Sequence, residues 1–365
     1  MKIENIEAFQ VMVPFKQAYT CSYSTLTEFG HVFIKIYTDE GIVGFGEVSS
    51  LPEFTGENMG TITETVRQLS SVIKGCNPFD LEEIMSSMDH AVKYNNTAKA
   101  VIDFALHDII GKSMGLNAVY LLGGRYVEKI PLSWSLTIGE PDKTAAEAVE
   151  MVKKGFNTVN LKIGVNPDED VERVKRVREA VGDRVNIRAD ANCAFTPMQA
   201  IQFIKRIEKY DLQYIEQPVP GWDLDGMVEI KRQVNVRLSA DESIFYLHNA
   251  LDVVKKGAAD IFSLKVAKMG GIRRAKQVAT VAEAANIPCM MNSNFEVDLG
   301  VSAAAIVTAS TKMVQYNSEI TGPLRHQTDV ITKGVEYKDG FLIPPPGPGL
   351  GVEIDEKKLE AYRVF

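Results

Sequence analysis

The chain predicts an α/β protein, a (β/α)8 barrel with an α+β capping domain, on three observations. A unit made of a short apolar β-rich run and a helical stretch recurs about every 24 to 28 residues through the middle of the chain, the spacing of one βα unit with short loops. The N-terminal third instead holds two alternating runs, the second with a turn at DEG, the pattern of antiparallel strands. At 365 residues the chain is also longer than one ordinary core serves, which suits a barrel plus an accessory domain.

In chain order, IENIEAFQVMV (3–13) and HVFIKIYTDEGIVGFGEV (31–48) read as antiparallel strands with a turn at DEG. NTAKAVIDFALHDIIGKSMG (96–115) reads as a helix with apolar residues along one face and a glycine stop. These place the capping domain at 1–125. Eight strands are then expected: IPLSWSL (130–136), TVNLKIG (158–164), VNIRADAN (185–192), LQYIEQP (212–218), VRLSADES (236–243), DIFSLKVA (260–267), IPCMMNSN (287–294) and MVQYNSEITG (313–322). Between them, residues 142–156, 168–182, 196–210, 248–258 and 271–287 repeat apolar residues at three- and four-residue steps, with Asp, Thr or Asn near several starts and Gly or Asn near the ends. The barrel is therefore expected at 126–324, and the tail, 325–365, is expected to return to the capping domain through KGVEYKDGFLIPPPGPGLGVEID (333–355), whose Pro/Gly cluster reads as a rigid loop.

Composition narrows the function. With 45% hydrophobic and 24% charged residues the chain is an ordinary globular one, and its net charge of −8 argues against nucleic acid or an anionic membrane as partner. Cys21, Cys76, Cys193 and Cys289 are scattered without a CxxC pair, fitting a reducing compartment. The N-terminus has no signal-peptide pattern and no apolar run spans a membrane, so a cytoplasmic protein acting on small molecules is expected. A homo-oligomer is left open.

The chemistry is expected where barrel strands end, because the C-terminal ends of such strands face the mouth. Lys162 sits in the otherwise apolar run TVNLKIG, where a charge is costly unless it snorkels to water or serves a site. Asp190, Glu216 and Asp241 end strands three, four and five, and three converging carboxylates repel unless a cation neutralises them. All-oxygen ligation suits Mg2+, or Mn2+, over zinc. Lys162 on strand two and Lys265 on strand six lie half a turn apart around an eight-stranded ring, with the acids between. Two amines would then face each other across a substrate, one lowered in pKa enough to act as a base. A divalent cation would stabilise the charge that forms on a carboxylate when its α-proton leaves.

These residues resemble the enolase superfamily, in particular its muconate lactonizing enzyme subgroup. The resemblance runs through GIVGFGEV, NTAKAVIDFALHDIIGK, NLKIG, RADAN, IEQP, ADES, LKVAKMGG and PGLGVEID. It implies Asp190, Glu216 and Asp241 as Mg2+ ligands and Lys162 and Lys265 as the acid/base pair, a pairing of lysine base and Mg2+ already established for such sites. It also implies Asn192, Glu242 and Lys268 as groups supporting metal and base. Asn160 departs from the pattern, standing where the first lysine of KxK is common, on the same strand face as Lys162.

Substrate contacts are expected from Asn160, Glu296, Asp298, Glu319, Tyr19 and Phe54, with Tyr23 and Glu53 as further residues of the capping loops at 14–30 and 50–58. NSEITGPL lacks the DxD of dipeptide epimerases and is similar to the ELxGPL of cycloisomerases. The leading expectation is a racemase or epimerase acting α to a carboxylate on an amino-acid derivative; a cycloisomerase or dehydratase is the alternative. A binding or scaffold protein without catalysis, and phosphate held by the amides of KMGGIRRA, are weaker readings.

Overall fold

The computed structural model describes residues 1–20, 25–328 and 330–364. Three antiparallel strands open the chain, Ile3–Thr20, Thr25–Thr38 and Val43–Ser49, in that order across the sheet. The first two run further than the alternation suggested, so their tips extend past the sheet toward the barrel. There Thr20 N donates to Thr137 Oγ1 at 2.7 Å, and Thr20 O accepts from Ile138 N at 2.9 Å.

The sheet packs on Asn96–Met114. Gly44 and Gly46 permit that contact, since a Cβ at either would lie 2.3 Å from Ala105 O or 2.1 Å from Val101 O. Residues 96–111 of this helix are all buried, not one face alone as the sequence reading has it. It is sandwiched between the capping sheet and the barrel, and two of its buried acids bond one to each side: Asp103 accepts Ile272 N at 2.6 Å, and Asp108 accepts Phe45 N at 2.9 Å. The first of these bonds fills the start of the helix Ile272–Ala284, which removes the phosphate reading of KMGGIRRA.

Seven parallel strands follow in sequential order: Trp134–Leu136, Thr158–Lys162, Asn186–Asp190, Leu212–Glu216, Leu238–Ala240, Ile261–Leu264 and Cys289–Met291. The eighth position differs from expectation. Residues 314–319 form isolated bridges to both neighbours, Val314 to Cys289, Glu319 to Asn292 and Ser318 to Leu132, and no regular strand. Side chains compete for this backbone: Arg188 Nη1 donates to Asn317 O at 2.7 Å, and Asn317 Nδ2 donates to Leu132 O at 3.0 Å. The predicted first strand is likewise divided, because Ile130–Pro131 pairs with Phe341–Ile343 and only Trp134–Leu136 joins the ring.

The five expected barrel helices are present as Pro141–Lys153, Pro167–Val181, Pro197–Ile207, Leu247–Lys256 and Ile272–Ala284. Two more, Leu224–Gln233 and Asp298–Ala309, were not anticipated. All twelve residues of the latter are buried, so it has no polar face to signal an amphipathic period. The tail touches both parts of the molecule: Phe341–Ile343 lies against Ile130–Pro131, whereas Met12 N and Gln10 O bond to Tyr362 O and Val364 N. Cys76, Cys193 and Cys289 are free thiols, and Cys21 lies outside the described residues. Among the described residues no helix is long and apolar enough to cross a membrane.

Candidate active site

Strand register sets the site. Lys162 pairs in register with Asp190, Asp190 with Glu216, and Glu216 with Ser239 on the next strand, two residues before Asp241. Because all these strands run parallel, their last residues reach one rim. Asp190, Glu216 and Asp241 are buried, at 1%, 0% and 0% exposure. Lys162 Nζ lies 2.5 Å from Asp190 Oδ2, and Lys265 Nζ lies 2.6 Å from Asp241 Oδ2.

A cavity of about 560 Å³, counted to its open mouth, separates the two amines. Lys162 and Lys265 line it from the second and sixth positions of the ring, which are diametrically opposed in an eight-position barrel. Tyr19, Leu26, Leu51 and Phe54 roof it from the capping domain, and Asn292, Phe295 and Glu319 wall it from the end of the barrel sequence.

Burial disfavours charge on both lysines, but their neighbours outweigh it. Asp190, Tyr19, Glu319 and Glu216 hold Lys162 well above the ordinary amine value; Asp241, Glu242 and Glu216 raise Lys265. The expectation of a lowered amine is therefore corrected: with carboxylates this close, each lysine is held as an ammonium. Glu216 shows the reverse imbalance. Burial, then Asp190 and Asp241, push its carboxyl well above the usual range.

Among the described residues no three carboxylate, imidazole or thiolate side chains stand together as a ready chelate. The reason is visible, because Asp190 and Asp241 spend oxygens on the lysine ammoniums. Glu216 Oε2, however, is buried without a partner, while Oε1 accepts from Asn292 Nδ2 at 3.1 Å. A buried carboxylate oxygen left unpaired between two further acids fits a hard divalent cation better than any group now beside it.

The supporting residues are also placed. Lys268 donates to Asp241 Oδ1 and, at 2.6 Å, to Asp241 O. Asn192 N donates to Asp190 Oδ1 at 2.9 Å, and its Nδ2 reaches Glu242 Oε1 at 3.4 Å. Asn160 does not line the cavity; its Nδ2 donates to Glu319 Oε2 at 2.9 Å from behind, and Glu319 does line it. Tyr19 donates to or accepts from Ser135 Oγ at 2.8 Å.

Three further expected contacts lie elsewhere. Asp298 stands at the start of a helix, its Oδ1 accepts Val335 N at 2.8 Å, and it is absent from the cavity wall. Glu296 turns back to accept Asn294 N at 2.8 Å, beside the buried Glu47–His31 pair, and Glu53 is exposed. Tyr23 lies outside the described residues. Sequence reasoning missed Ser135, Asn292 as the partner of Glu216, and Gln217, whose Oε1 accepts the backbone of Asp241 and Ser243 at 3.0 and 3.1 Å. Gln217 follows Glu216 directly with φ 34°, so only its place next to a strand-end acid hinted at a role.

The rim thus carries opposed amines and in-register acids beneath an α+β roof. Two family profiles match the chain: "Mandelate racemase / muconate lactonizing enzyme, N-terminal domain" over residues 5–123 and "Enolase C-terminal domain-like" over residues 143–358. A hydrophobic dipeptide epimerase of Enterococcus faecalis is 36% identical over 96% of this chain and 99% of its own. Its structure with Mg and the dipeptide L-Leu-L-Tyr superposes with TM-score 0.93 at 35% identity, covering 97% of this chain and 100% of that one. The N-succinyl Arg/Lys racemase of Bacillus cereus is similar over 100% of this chain and 99% of that structure, with TM-score 0.97 and 34% identity. A muconate lactonizing enzyme of Pseudomonas fluorescens, bound to muconolactone, gives TM-score 0.97 at 29% identity over 99% of each chain. The chain belongs to the enolase superfamily, in its muconate lactonizing enzyme-like subgroup, and is an isomerase of the racemase, epimerase or cycloisomerase kind.

Proposed function

We propose that this protein is a Mg2+-dependent racemase or epimerase that inverts the carbon α to the carboxylate of an N-acylated amino acid, dipeptides included. The single observation that carries the reading is the placing of Lys162 and Lys265 on opposite walls of one cavity. Inversion needs a proton removed from one face and returned to the other, and these amines supply both. The similar proteins named for dipeptides and for N-succinyl-arginine or -lysine support the acylated substrate class.

Asp190, Glu216 and Asp241 would hold the cation. When bound, it supplies positive charge against which a substrate carboxylate can take on the charge of an enediolate, and it offsets the acids that hold both lysines protonated. Lys162 then takes the α-proton from one enantiomer while Lys265 delivers one to the opposite face, and the roles exchange for the other enantiomer. Asn292 orients Glu216, Lys268 fixes Asp241, and Leu26, Leu51, Phe54 and Phe295 shed water from the reacting carbon.

The test is incubation with Mg2+ in D2O of N-succinyl-L-arginine, L-Leu-L-Tyr and cis,cis-muconate. Deuterium at the α-carbon together with inversion supports the proposal. A lactone from muconate with neither exchange nor inversion of the other two would replace it with cycloisomerisation.

A further inference from the structure

The two amines have unlike surroundings. Lys162 is held by Asp190, a barrel residue on the neighbouring strand. Lys265 is gripped from two domains: Asp241 takes one N–H on the barrel side, and the ring of Phe54 covers the ammonium from the capping side, with Nζ 3.9 Å from the ring centroid.

Phe54 is carried by Pro52–Thr55, a single helical turn in the loop after the third capping strand. That loop is anchored at both ends. Ser50 N bonds Gly30 O at 2.8 Å, and the buried carboxylate of Glu57 accepts Thr97 N and Ala98 N at 2.9 and 3.1 Å. Phe54 also packs on Phe245 of the barrel, with centroids 5.7 Å apart, which fixes the plane of its ring. An ammonium has three N–H groups; with Asp241 on one and an aromatic face on another, the third is left for the cavity that Lys265 and Phe54 both line. The ring attracts the cation through its negative face, and it occupies space that water would otherwise fill.

We propose that Phe54 is a positioning residue for Lys265: the capping loop seats an aromatic ring on that ammonium at 3.9 Å, with Lys268 Nζ farther off at 6.0 Å, so that the capping domain organises this proton-transfer face through a ring contact, whereas Lys162 takes its ion pair from Asp190 within the barrel and has Tyr19 near it from the capping side. This goes beyond a role for Phe54 in packing around substrate, and it rests on the two-lysine reading of the site.

The experiment uses the Mg2+-loaded full-length protein, wild type, Phe54→Leu and Phe54→Tyr, with each enantiomer of N-succinylarginine supplied separately in D2O, or each epimer of L-Leu-L-Tyr where that is the compound turned over. Lys265→Ala identifies the stereoisomer whose α-proton faces Lys265, as the one whose exchange it abolishes. Phe54→Leu is expected to slow exchange from that stereoisomer about tenfold more than exchange from the other, and Phe54→Tyr to restore the balance between them. Equal slowing of both, or of neither, overturns the proposal. A second measurement needs no substrate. In protein carrying 13C-labelled lysine, the ε-CH2 resonance of Lys265, assigned through Lys265→Arg, is expected upfield of ordinary lysines because of the ring above it, and to return to the ordinary position in Phe54→Leu. An unshifted wild-type resonance overturns the proposal. Absence of exchange from every wild-type reaction would instead count against the racemase reading, and the resonance would still decide whether Phe54 holds Lys265.

Discussion

Lys268 grips Asp241 twice, donating to its carboxylate and, at 2.6 Å, to its backbone carbonyl, and neither residue is exposed. Burial alone would raise the Asp241 carboxyl, but Lys265 and Lys268 bring it down to about 2. A carboxyl depressed in this way stabilises the fold above its unfolded value near 4, and that contribution is lost as pH falls through about 2. Lys268→Met strips one cation from a buried acid and should cost about 3 kcal/mol at pH 7. Its acid unfolding should also begin at higher pH than in wild type. Urea unfolding at pH 7 and pH 4 checks both, and an unchanged midpoint at pH 7 would refute the assignment.

Glu216 concerns the metal. Because burial, Asp190 and Asp241 raise its carboxyl, a bound proton competes with a cation for the same oxygens. Mg2+ should therefore raise the melting temperature more at pH 8 than at pH 5. The stabilisation at 100 times the dissociation constant is about 2.7 kcal/mol. Glu216→Gln should lose most of that rise and, with it, turnover, as should chelation by EDTA. A full Mg2+-induced shift in Glu216→Gln contradicts the proposed ligand set.

Glu296 is the group poised near neutrality. Burial, with Glu47 beside it, lifts its carboxyl to about 7. Its folded value lies above the unfolded value near 4.3, so the associated stability is complete below about pH 4 and drains away as pH rises through 7. Glu296→Gln should flatten the fall in stability between pH 5 and pH 8, a span over which this one group is worth on the order of 3 kcal/mol. Parallel denaturation curves across that range for variant and wild type would show that Glu296 is not the titrating group.

Asn160 shields Glu319 from behind, giving its amide N–H to a carboxylate that lines the cavity. Asn160→Asp faces one buried acid with another and should cost about 1–3 kcal/mol, with KM raised more than kcat is lowered. Asn160→Ser keeps a donor and should be milder on both counts. Steady-state kinetics and melting curves of the pair are the measurement. Equal effects would mean that charge at position 160 is irrelevant.

Where the sequence carried a period, it was legible. The spacing of Lys162, Asp190, Glu216, Asp241 and Lys265 follows the βα repeat, and parallel register converts such spacing into a shared rim. Asn160, two residues before Lys162, kept the same strand but served Glu319 in place of the cavity. The helix Asp298–Ala309 escaped notice because burial on all sides erased its amphipathic signature. Asp298 itself illustrates the limit: a carboxylate two residues beyond Glu296 looks equally available in sequence, yet its oxygen accepts the backbone of residue 335, thirty-seven positions away.

The linear order of residues determined the barrel, its added domain and which strand ends bear charge, because those depend on local periodicity and on chain continuity. Only tertiary structure decided that both lysines are held as ammoniums, that Glu216 keeps an unpaired oxygen, and that Phe54 covers one amine. Proton affinity and ring contacts depend on distances of a few ångströms between segments far apart in the chain, and folding sets those distances.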